Sequence, residues 1–219
     1  MAAVSQNWTV SMARNTEVVA DSTNVLALEA ALRRRLLLRS DPHSKEVIHL
    51  ASSHRLLRAQ HYHDPELVPH FRLLALCSAG RDVGGFRFEF EALALHIHFY
   101  LSALRAFLGP SPHLRVSVTV DGLIHIPAGS IDGLFAAIGE AFDRVECTIN
   151  TSDQSSRPYY GGLRFNIYAE APSGRELQLV DGGTVDWTQR LLSDAKERLI
   201  ISGIGSERVC TEFAEGNAI

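Results

Sequence analysis

The feature that most constrains the fold is a series of short β-type segments with few helices between them. Residues 114–120 alternate apolar and polar side chains, and residues 162–169 and 176–180 flank the turn-forming sequence Pro172-Ser173-Gly174. Segments joined by a short turn pair as antiparallel hairpins, whereas parallel strands need a long crossover that is usually a helix. Because hairpins outnumber strand–helix–strand units, we predict an α/β (α+β) domain with a mainly antiparallel sheet flanked by helices.

Other segments are assigned by the period of their apolar residues. Helical spacing predicts helices over 24–38, 92–108, 130–142, 185–196 and 203–213, and strand-type sequences cover 46–51, 71–77, 145–149 and 199–202. Residues 71–77 and 86–90 flank a glycine-rich sequence, and Phe86, Phe88 and Phe90 alternate with charged residues. We therefore predict a second hairpin over 71–90. The sequence Asp181-Gly182-Gly183 is expected to turn into the helix over 185–196.

Composition favours one large globular domain. The chain has 219 residues, of which 46% are hydrophobic and 21% are charged, so it can bury a substantial core. We expect residues 1–20 to form a loose N-terminal arm and residues 21–219 to form the core domain. The formal net charge is −4, which argues against a protein that grips nucleic acid through excess Lys and Arg.

Cysteine use and the N-terminus suggest a cytoplasmic protein. The three cysteines, Cys77, Cys147 and Cys210, are far apart, and residues 1–15 contain no apolar leader segment. The longest apolar stretch, Leu93–Leu108, is broken by two histidines and an arginine, so it predicts a buried helix and not a membrane span. Ten histidines are present, but none has a Cys or carboxylate at zinc spacing, and we expect no metal site.

Three segments of the C-terminal half share their order and spacing with one known family. Residues 157–165 (RPYYGGLRF) contain a tyrosine pair and two glycines, residues 181–186 (DGGTVD) contain a second glycine pair, and residues 201–208 (ISGIGSER) carry a Gly-x-Gly turn and a Glu-Arg pair. Together they resemble a class II aminoacyl-tRNA synthetase-like catalytic core, nearest to histidyl-tRNA synthetase. The segments are similar to its histidine-recognising segment, the glycine pair that follows, and motif 3. The same core occurs in the regulatory subunit of ATP phosphoribosyltransferase, which does not charge tRNA.

The resemblance implies an ATP-dependent adenylation site. Charge develops on the α-phosphate as a carboxylate attacks, and guanidinium groups suit that charge. The resemblance implies that Arg81 on the α-phosphate and Arg208 on the γ-phosphate are catalytic, with ATP and Mg²⁺ as cofactors. It implies ATP contacts from the returning strand of the 71–90 hairpin and from the Gly-x-Gly turn: Phe88, Glu89, Glu91, Gly203 and Gly205. It implies substrate contacts from Arg157, Tyr159, Tyr160, Gly161, Gly182 and Gly183.

The family's other signatures are reduced, which leaves the function open. The loop at Arg81 is shorter than in the family, no Pro-Glu-x-Thr segment occurs near Ser52-Ser53, and Ser155 stands where an arginine is expected, with Arg157 as a displaced candidate. No anticodon-binding domain is expected. The first interpretation is a stand-alone ligase that adenylates an amino acid or related carboxylate and transfers it to a non-tRNA acceptor, such as an amine or a carrier. The alternative is a non-catalytic regulatory or partner subunit, and a residual tRNA-charging enzyme is disfavoured.

The first predicted helix also suggests assembly. It occupies the place of the motif 1 helix, which in class II enzymes packs across a two-fold axis. Apolar residues lie at helical spacing along it (Val25, Leu28, Leu32 and Leu36), and Leu26 and Leu37 add apolar surface beyond that stripe. A helix on the surface of a monomer needs one apolar face. The surplus predicts a homodimer, with a folded-back N-terminal arm as the competing explanation.

Overall fold

A single seven-stranded sheet organises the protein. The computed structural model describes residues 18–58, 69–110, 112–121, 124–152 and 160–213. The strands are β1 (Ile48–Leu57), β2 (His70–Arg81), β3 (Leu114–Asp121), β4 (Val145–Ser152), β5 (Leu163–Glu170), β6 (Glu176–Val185) and β7 (Glu197–Gly205). They are ordered β1-β2-β7-β6-β5-β3-β4. Every neighbouring pair is antiparallel except β3 with β4, which confirms the predicted mainly antiparallel sheet.

Helices cover the two faces of the sheet unequally. They are α1 (Ser22–Ser40), α2 (Arg87–Leu108), α3 (Ser130–Ala141), α4 (Trp187–Leu192) and α5 (Ser206–Phe213). Residues of α2, α3 and α5 pack on one face and build the larger apolar core with β2, β3, β5, β6 and β7. Helices α1 and α4 pack on the opposite face, chiefly over β1, β2 and β7. The candidate site lies on the part of that opposite face beyond β7, at β6, β5 and β3.

Helix α1 buries a different side from the one its leucine spacing suggests. Asp21 caps the helix, since its Oδ1 accepts a hydrogen bond of 2.9 Å from the backbone N–H of Thr23. The side against the sheet consists of small residues and one leucine, namely Leu26, Ala27, Ala30 and Ala31, together with the buried Arg34. Val25, Leu28, Leu32 and Leu36 point outward and are each about half exposed. The stripe of Val25, Leu28, Leu32 and Leu36 therefore lies on the outside of the protein, and Leu26, which the sequence placed beyond that stripe, packs against the sheet.

The predicted hairpin over 71–90 is wrong. Strand β2 ends at Arg81, and residues 87–108 form one continuous helix, so Phe88, Glu89 and Glu91 lie on α2 and not on a returning strand. Gly84 and Gly85 adopt positive φ angles, which end the strand and allow the chain to turn. Phe88 and Ala92 then share the buried side of the helix at i, i+4 spacing. The alternation of phenylalanines is thus too short to override the helical period that follows it.

The glycine pair of the C-terminal half was also misplaced. Gly182 and Gly183 lie inside β6 and not in a turn before a helix, and the following helix α4 covers only Trp187–Leu192. The predicted N-terminal arm lies outside the described residues except for 18–20, as do Arg157 and Tyr159. No helix among the described residues is long and apolar enough to cross a membrane.

Candidate functional site

Polar side chains, from half-buried to fully buried, line the part of the sheet that α1 and α4 do not cover. Along β5 the residues Leu163, Phe165 and Ile167 are buried in the core with α2, and the residues between them face the other way. The register places the outward residues of neighbouring strands side by side: Arg164, Asn166, Asp181, Gly183, Ser117 and Thr119. This group, together with Tyr160 and Arg58, is called the polar floor below.

Asp181 is the half-buried acid of the polar floor. The hydroxyl of Tyr160 donates a hydrogen bond of 2.7 Å to its Oδ2. Burial raises the pKa of the Asp181 carboxyl and the nearby Asp21 acts in the same direction, while the Tyr160 hydrogen bond and the charge of Arg58 oppose them. The net shift is upward, so the charged form of Asp181 is not fully compensated by its neighbours.

Arg58 joins this acid to the N-terminus of α1. Its Nε donates to the carbonyl of Ala20 at 3.2 Å, and its Nη2 lies 3.4 Å from Oδ2 of Asp21. The guanidinium carbon lies 5.2 Å from the centroid of the Phe71 ring. Arg58 and Phe71 thus lie at the paired ends of the two strands of the β1–β2 hairpin, with Arg58 directly after β1 and Phe71 near the start of β2.

The two glycines of β6 have separate packing reasons. A Cβ on Gly182 would lie 2.5 Å from Cβ of Ser202 and 2.6 Å from the Phe165 ring, so the core side of β6 tolerates no side chain there. A Cβ on Gly183 would lie 2.9 Å from Cδ1 of Tyr160. The absence of a side chain at Gly183 therefore lets the Tyr160 ring lie against β6 and reach Asp181. Gly161 is exposed and precedes β5, and its N–H donates to the carbonyl of Thr184 at 2.7 Å.

The segment that resembles motif 3 is a strand followed by a helix, as predicted, but Gly203 and Gly205 lie in the strand and not in a turn. Strand β7 ends at Gly205 and continues directly into α5, which carries Glu207 and Arg208. Gly203 is covered by Leu73, whose Cδ1 would lie 3.0 Å from an added Cβ, whereas a Cβ on Gly205 would meet nothing within 4 Å. Nη1 of Arg208 donates to the carbonyl of Gln178 on β6 at 3.3 Å. Arg208 therefore lies beside the N-terminal part of β6.

Arg81 does not share a site with Arg208. Its Cα pairs with that of Glu197 at the start of β7, whereas Gly205, where α5 begins, pairs with Leu73. Eight residues of strand correspond to about 27 Å. Nη1 of Arg81 lies 2.8 Å from Oδ2 of Asp194 and 3.6 Å from Oε1 of the buried Glu197. The predicted pair of phosphate-binding arginines is thus divided between opposite ends of the sheet.

The other residues predicted to bind ATP are likewise engaged or distant. Phe88 is buried in the core beneath Gly80, and Glu91 is exposed on α2. Glu89 is buried, and its Oε1 accepts a hydrogen bond of 2.8 Å from Nε of Arg198. Within the described ranges, no group of three or more His, Cys, Asp or Glu residues is placed to hold a metal ion.

Sequence reasoning missed Asp181, Arg58 and Arg164 as site residues. Asp181 and Arg164 stand inside segments that carried the family resemblance, but neither matches a motif residue there. The alternation of polar and apolar residues along β5 was the available signal, because it places Arg164 on the face opposite the core. The sequence contains no comparable signal for Arg58, because only the structure of the β1–β2 hairpin brings it to the polar floor.

Comparisons with solved structures identify the fold. No model of a known protein family matches the sequence. No curated protein matches it either. The structure is similar to an apo histidyl-tRNA synthetase from S. aureus, with a TM-score of 0.61 and 16% identity over 92% of this chain and 54% of that chain.

Two further structures agree. The structure is similar to the RNA binding domain of a threonyl-tRNA synthetase from Cryptosporidium parvum Iowa II, with a TM-score of 0.55 and 14% identity over 89% of this chain and 49% of that one. It is similar to an ATP phosphoribosyltransferase regulatory subunit/histidyl-tRNA synthetase from Bacillus halodurans C, with a TM-score of 0.55 and 15% identity over 91% of this chain and 65% of that one. The fold is that of a class II aminoacyl-tRNA synthetase-like core, and the chain spans about half to two thirds of the length of these structures.

Proposed function

We propose that this protein binds an amino acid or a closely similar small molecule on the polar floor and acts as a non-catalytic regulatory or partner subunit. The observation that carries the proposal is Asp181, a half-buried acid that accepts a hydrogen bond from Tyr160 and lies within electrostatic range of Arg58, on the part of the sheet that α1 and α4 do not cover. A buried carboxylate is costly unless it is paired, and an ammonium group of a ligand would complete its pairing.

The positions of the predicted catalytic residues favour binding without chemistry. Arg81 forms ion pairs with Asp194 and Glu197, and Glu89 pairs with Arg198, so neither side chain is available to ATP. One structure with the same fold is itself described as an ATP phosphoribosyltransferase regulatory subunit/histidyl-tRNA synthetase. The partner of the present chain would be an enzyme whose activity responds to the bound small molecule.

A second candidate function is the adenylate-forming ligase with ATP and Mg²⁺. It is favoured by Arg208 on the strand–helix unit that resembles motif 3, and by Arg58 with Phe71 on the β1–β2 hairpin. Arg58 would then take the place of Arg81 in the pair predicted from the sequence. The acceptor would be an amine or a carrier, since the chain's net charge of −4 disfavours strong binding to tRNA.

A thermal-shift screen distinguishes the two functions. The twenty amino acids are tested singly at millimolar concentration, with and without ATP and Mg²⁺, because a ligand selective for the folded state raises its melting temperature. The proposal expects at least one amino acid to raise the melting temperature without ATP, and expects no exchange of pyrophosphate into ATP. Exchange that depends on an amino acid would establish the ligase in its place. No response to any amino acid would remove the binding function.

Assembly and location follow as further parts of the proposal. The exposed stripe of α1 is proposed to form a homodimer across a two-fold axis. The three cysteines are free thiols, which suits the reducing conditions of the cytoplasm.

A further inference from the structure

Arg164 has an unused buried donor in the polar floor. Its side chain is half-buried, and its Nε is buried without a hydrogen-bond partner among the described residues. Leaving such a donor unpaired costs free energy, and the cost is greater for a charged group. Arginine presents its donors in a planar fork that fits a carboxylate or a phosphate. The unused donor therefore marks a position where an anionic group would be favourable.

Arg164 and Asp181 are close neighbours on the same face. Arg164 pairs with Gly183 across β5 and β6, and Asn166 pairs with Asp181. Arg164 and Asp181 are thus diagonal neighbours, for which the separation is about 7–8 Å. Gly183 contributes no side chain between them, and the nearest atoms to a Cβ built there would be the carbonyl oxygen of Leu163 at 2.5 Å and Cδ1 of Tyr160 at 2.9 Å. A small molecule of amino-acid size can span this distance.

Asp181 and Arg164, at the two ends of this arrangement, favour ligand groups of opposite charge. At the Asp181 end, two carboxylates, Asp21 and Asp181, are near one guanidinium, Arg58. Arg58 is already directed at Asp21 and at the carbonyl of Ala20. The surplus of negative charge suits a cationic group, whereas at the other end Nε of Arg164 has no hydrogen-bond partner among the described residues.

We infer that the ligand of the polar floor is a dipolar molecule that lies across β5 and β6, with its cationic amine at Asp181 and its carboxylate on Arg164. The inference rests on the proposed binding function and adds the orientation of the ligand. Arg208 contacts the carbonyl of Gln178, five residues before Gly183 on β6. That separation is about 17 Å along the strand, so the carboxylate lies at the end of the floor away from Arg208. An amino acid held this way is bound without presenting its carboxylate to the segment that resembles motif 3.

Calorimetry with matched ligands tests the orientation. L-histidine, L-histidinamide and histamine form the first probe set, because two of the similar structures are named for histidyl-tRNA synthetase. If another amino acid raises the melting temperature more, that amino acid, its amide and its decarboxylated amine are compared in the same way. The wild-type protein is expected to bind the amino acid at least about tenfold more tightly than its amide or its decarboxylated amine, since a charge-assisted hydrogen bond is lost with the carboxylate.

Variants assign this preference to Arg164. Arg164→Gln is expected to bind the acid and the amide with equal affinity, while Arg164→Lys keeps the charge and most of the preference. Arg190→Gln, at a side chain that is 70% exposed, serves as the matched control and should behave as the wild type. Melting curves of each variant without ligand report whether it is folded.

The outcomes distinguish the inferred orientation of the ligand from the proposed binding function on which it rests. Binding of an amino acid with no preference for the acid over the amide, or a preference that survives Arg164→Gln, overturns the orientation and leaves the binding function intact. Absence of binding by every amino acid overturns the proposed function, and the orientation with it.

Discussion

The most deeply buried charges of the described residues belong to an ion pair that joins α1 to β7. Nε and Nη2 of Arg34 each lie 2.8 Å from an oxygen of Glu197, and both side chains are fully buried. Arg34 also donates to the carbonyls of Ser44 and Glu46, so four of its five N–H groups are hydrogen-bonded. Replacing one partner of such a pair leaves the other charge uncompensated in the interior.

Arg34→Met is therefore expected to lower the free energy of unfolding by about 3–5 kcal/mol. The neighbouring Arg33→Ala is the control, since Arg33 is 52% exposed and pairs only with Glu29 one helical turn away, and it should cost less than about 0.5 kcal/mol. Urea unfolding at pH 7 measures both. Equal small losses in the two variants would contradict the importance of the buried pair.

A second residue-scale feature is the neutral histidine at the centre of the core. Nε2 of His96 lies 2.9 Å from Oγ of Ser78, and Nδ1 lies 2.8 Å from Oγ of Ser202. Burial lowers the pKa of His96 from 6.5 to about 3, and the charge of His49 acts in the same direction. The unfolded chain therefore takes up a proton below about pH 6.5 that the folded protein does not.

The stability contributed by this lowered pKa is present above pH 6.5 and is lost as the pH falls towards 3. The linkage corresponds to about 1.4 kcal/mol per pH unit for one proton. His96→Gln should reduce the slope of unfolding free energy between pH 6.5 and 4.5 by close to that amount, whatever its effect at pH 7. His43→Gln, at an exposed position, should leave the slope unchanged. Identical slopes for wild type and His96→Gln would refute this assignment.

At the scale of elements, Gly182 in a strand and Gly139 in a helix should respond to substitution by alanine in opposite ways. Gly182 sits inside β6 with Ser202 and Phe165 where its Cβ would be, whereas Gly139 lies in α3 with nothing within 4 Å. Gly182→Ala should destabilise the protein by about 1–3 kcal/mol through overpacking. Gly139→Ala should stabilise it by about 0.5–1 kcal/mol through helix propensity. Thermal unfolding of the two variants checks the opposite signs, and a neutral Gly182→Ala would contradict the close contact.

The elements themselves could largely be predicted from the sequence, because each long segment has one consistent period. The hairpin of β5 and β6 and the strand–helix unit of β7 and α5 followed directly from alternation and from glycine positions. The exception was residues 86–90, where five residues of alternation precede a strong helical pattern. Because of that local conflict a hairpin was predicted where the chain forms α2, and Phe88, Glu89 and Glu91 were assigned to its returning strand.

The candidate site was less predictable than the fold because its residues come from distant parts of the chain. Asp21, Arg58 and Asp181 meet only when α1, the β1–β2 hairpin and β6 are assembled. Their sequence neighbourhoods contain no spacing that reports this meeting. The alternation along β5 placed Arg164 on the correct face. Only the packed structure shows that its Nε has no hydrogen-bond partner among the described residues.

At the scale of the whole molecule, the outward stripe of α1 is the proposed dimer surface. Leu28 and Leu32 are each about half exposed at the middle of the stripe. Light scattering is expected to return twice the 24.1 kDa chain mass for the wild type at tens of micromolar. Leu28→Asp combined with Leu32→Asp should return the monomer mass, because two charges would be buried without partners across the two-fold axis.

The control is Ile149→Asp, which introduces the same charge at an apolar residue of equal exposure on the edge strand β4. It should leave the dimer intact. A wild-type protein that scatters as a monomer would reject the dimer outright. Dissociation by Ile149→Asp would move the interface to the β4 edge.

The central claim is that Asp181 holds the cationic group of a small amino-acid-like ligand, and titration calorimetry of Asp181→Asn tests it most directly. The substitution keeps the shape and the Tyr160 hydrogen bond but removes the charge, and Asp186→Asn at a 60% exposed side chain is the control. The account predicts saturable binding of an amino acid to the wild type and to Asp186→Asn, and affinity at least about tenfold weaker for Asp181→Asn. Unchanged affinity in Asp181→Asn would contradict it.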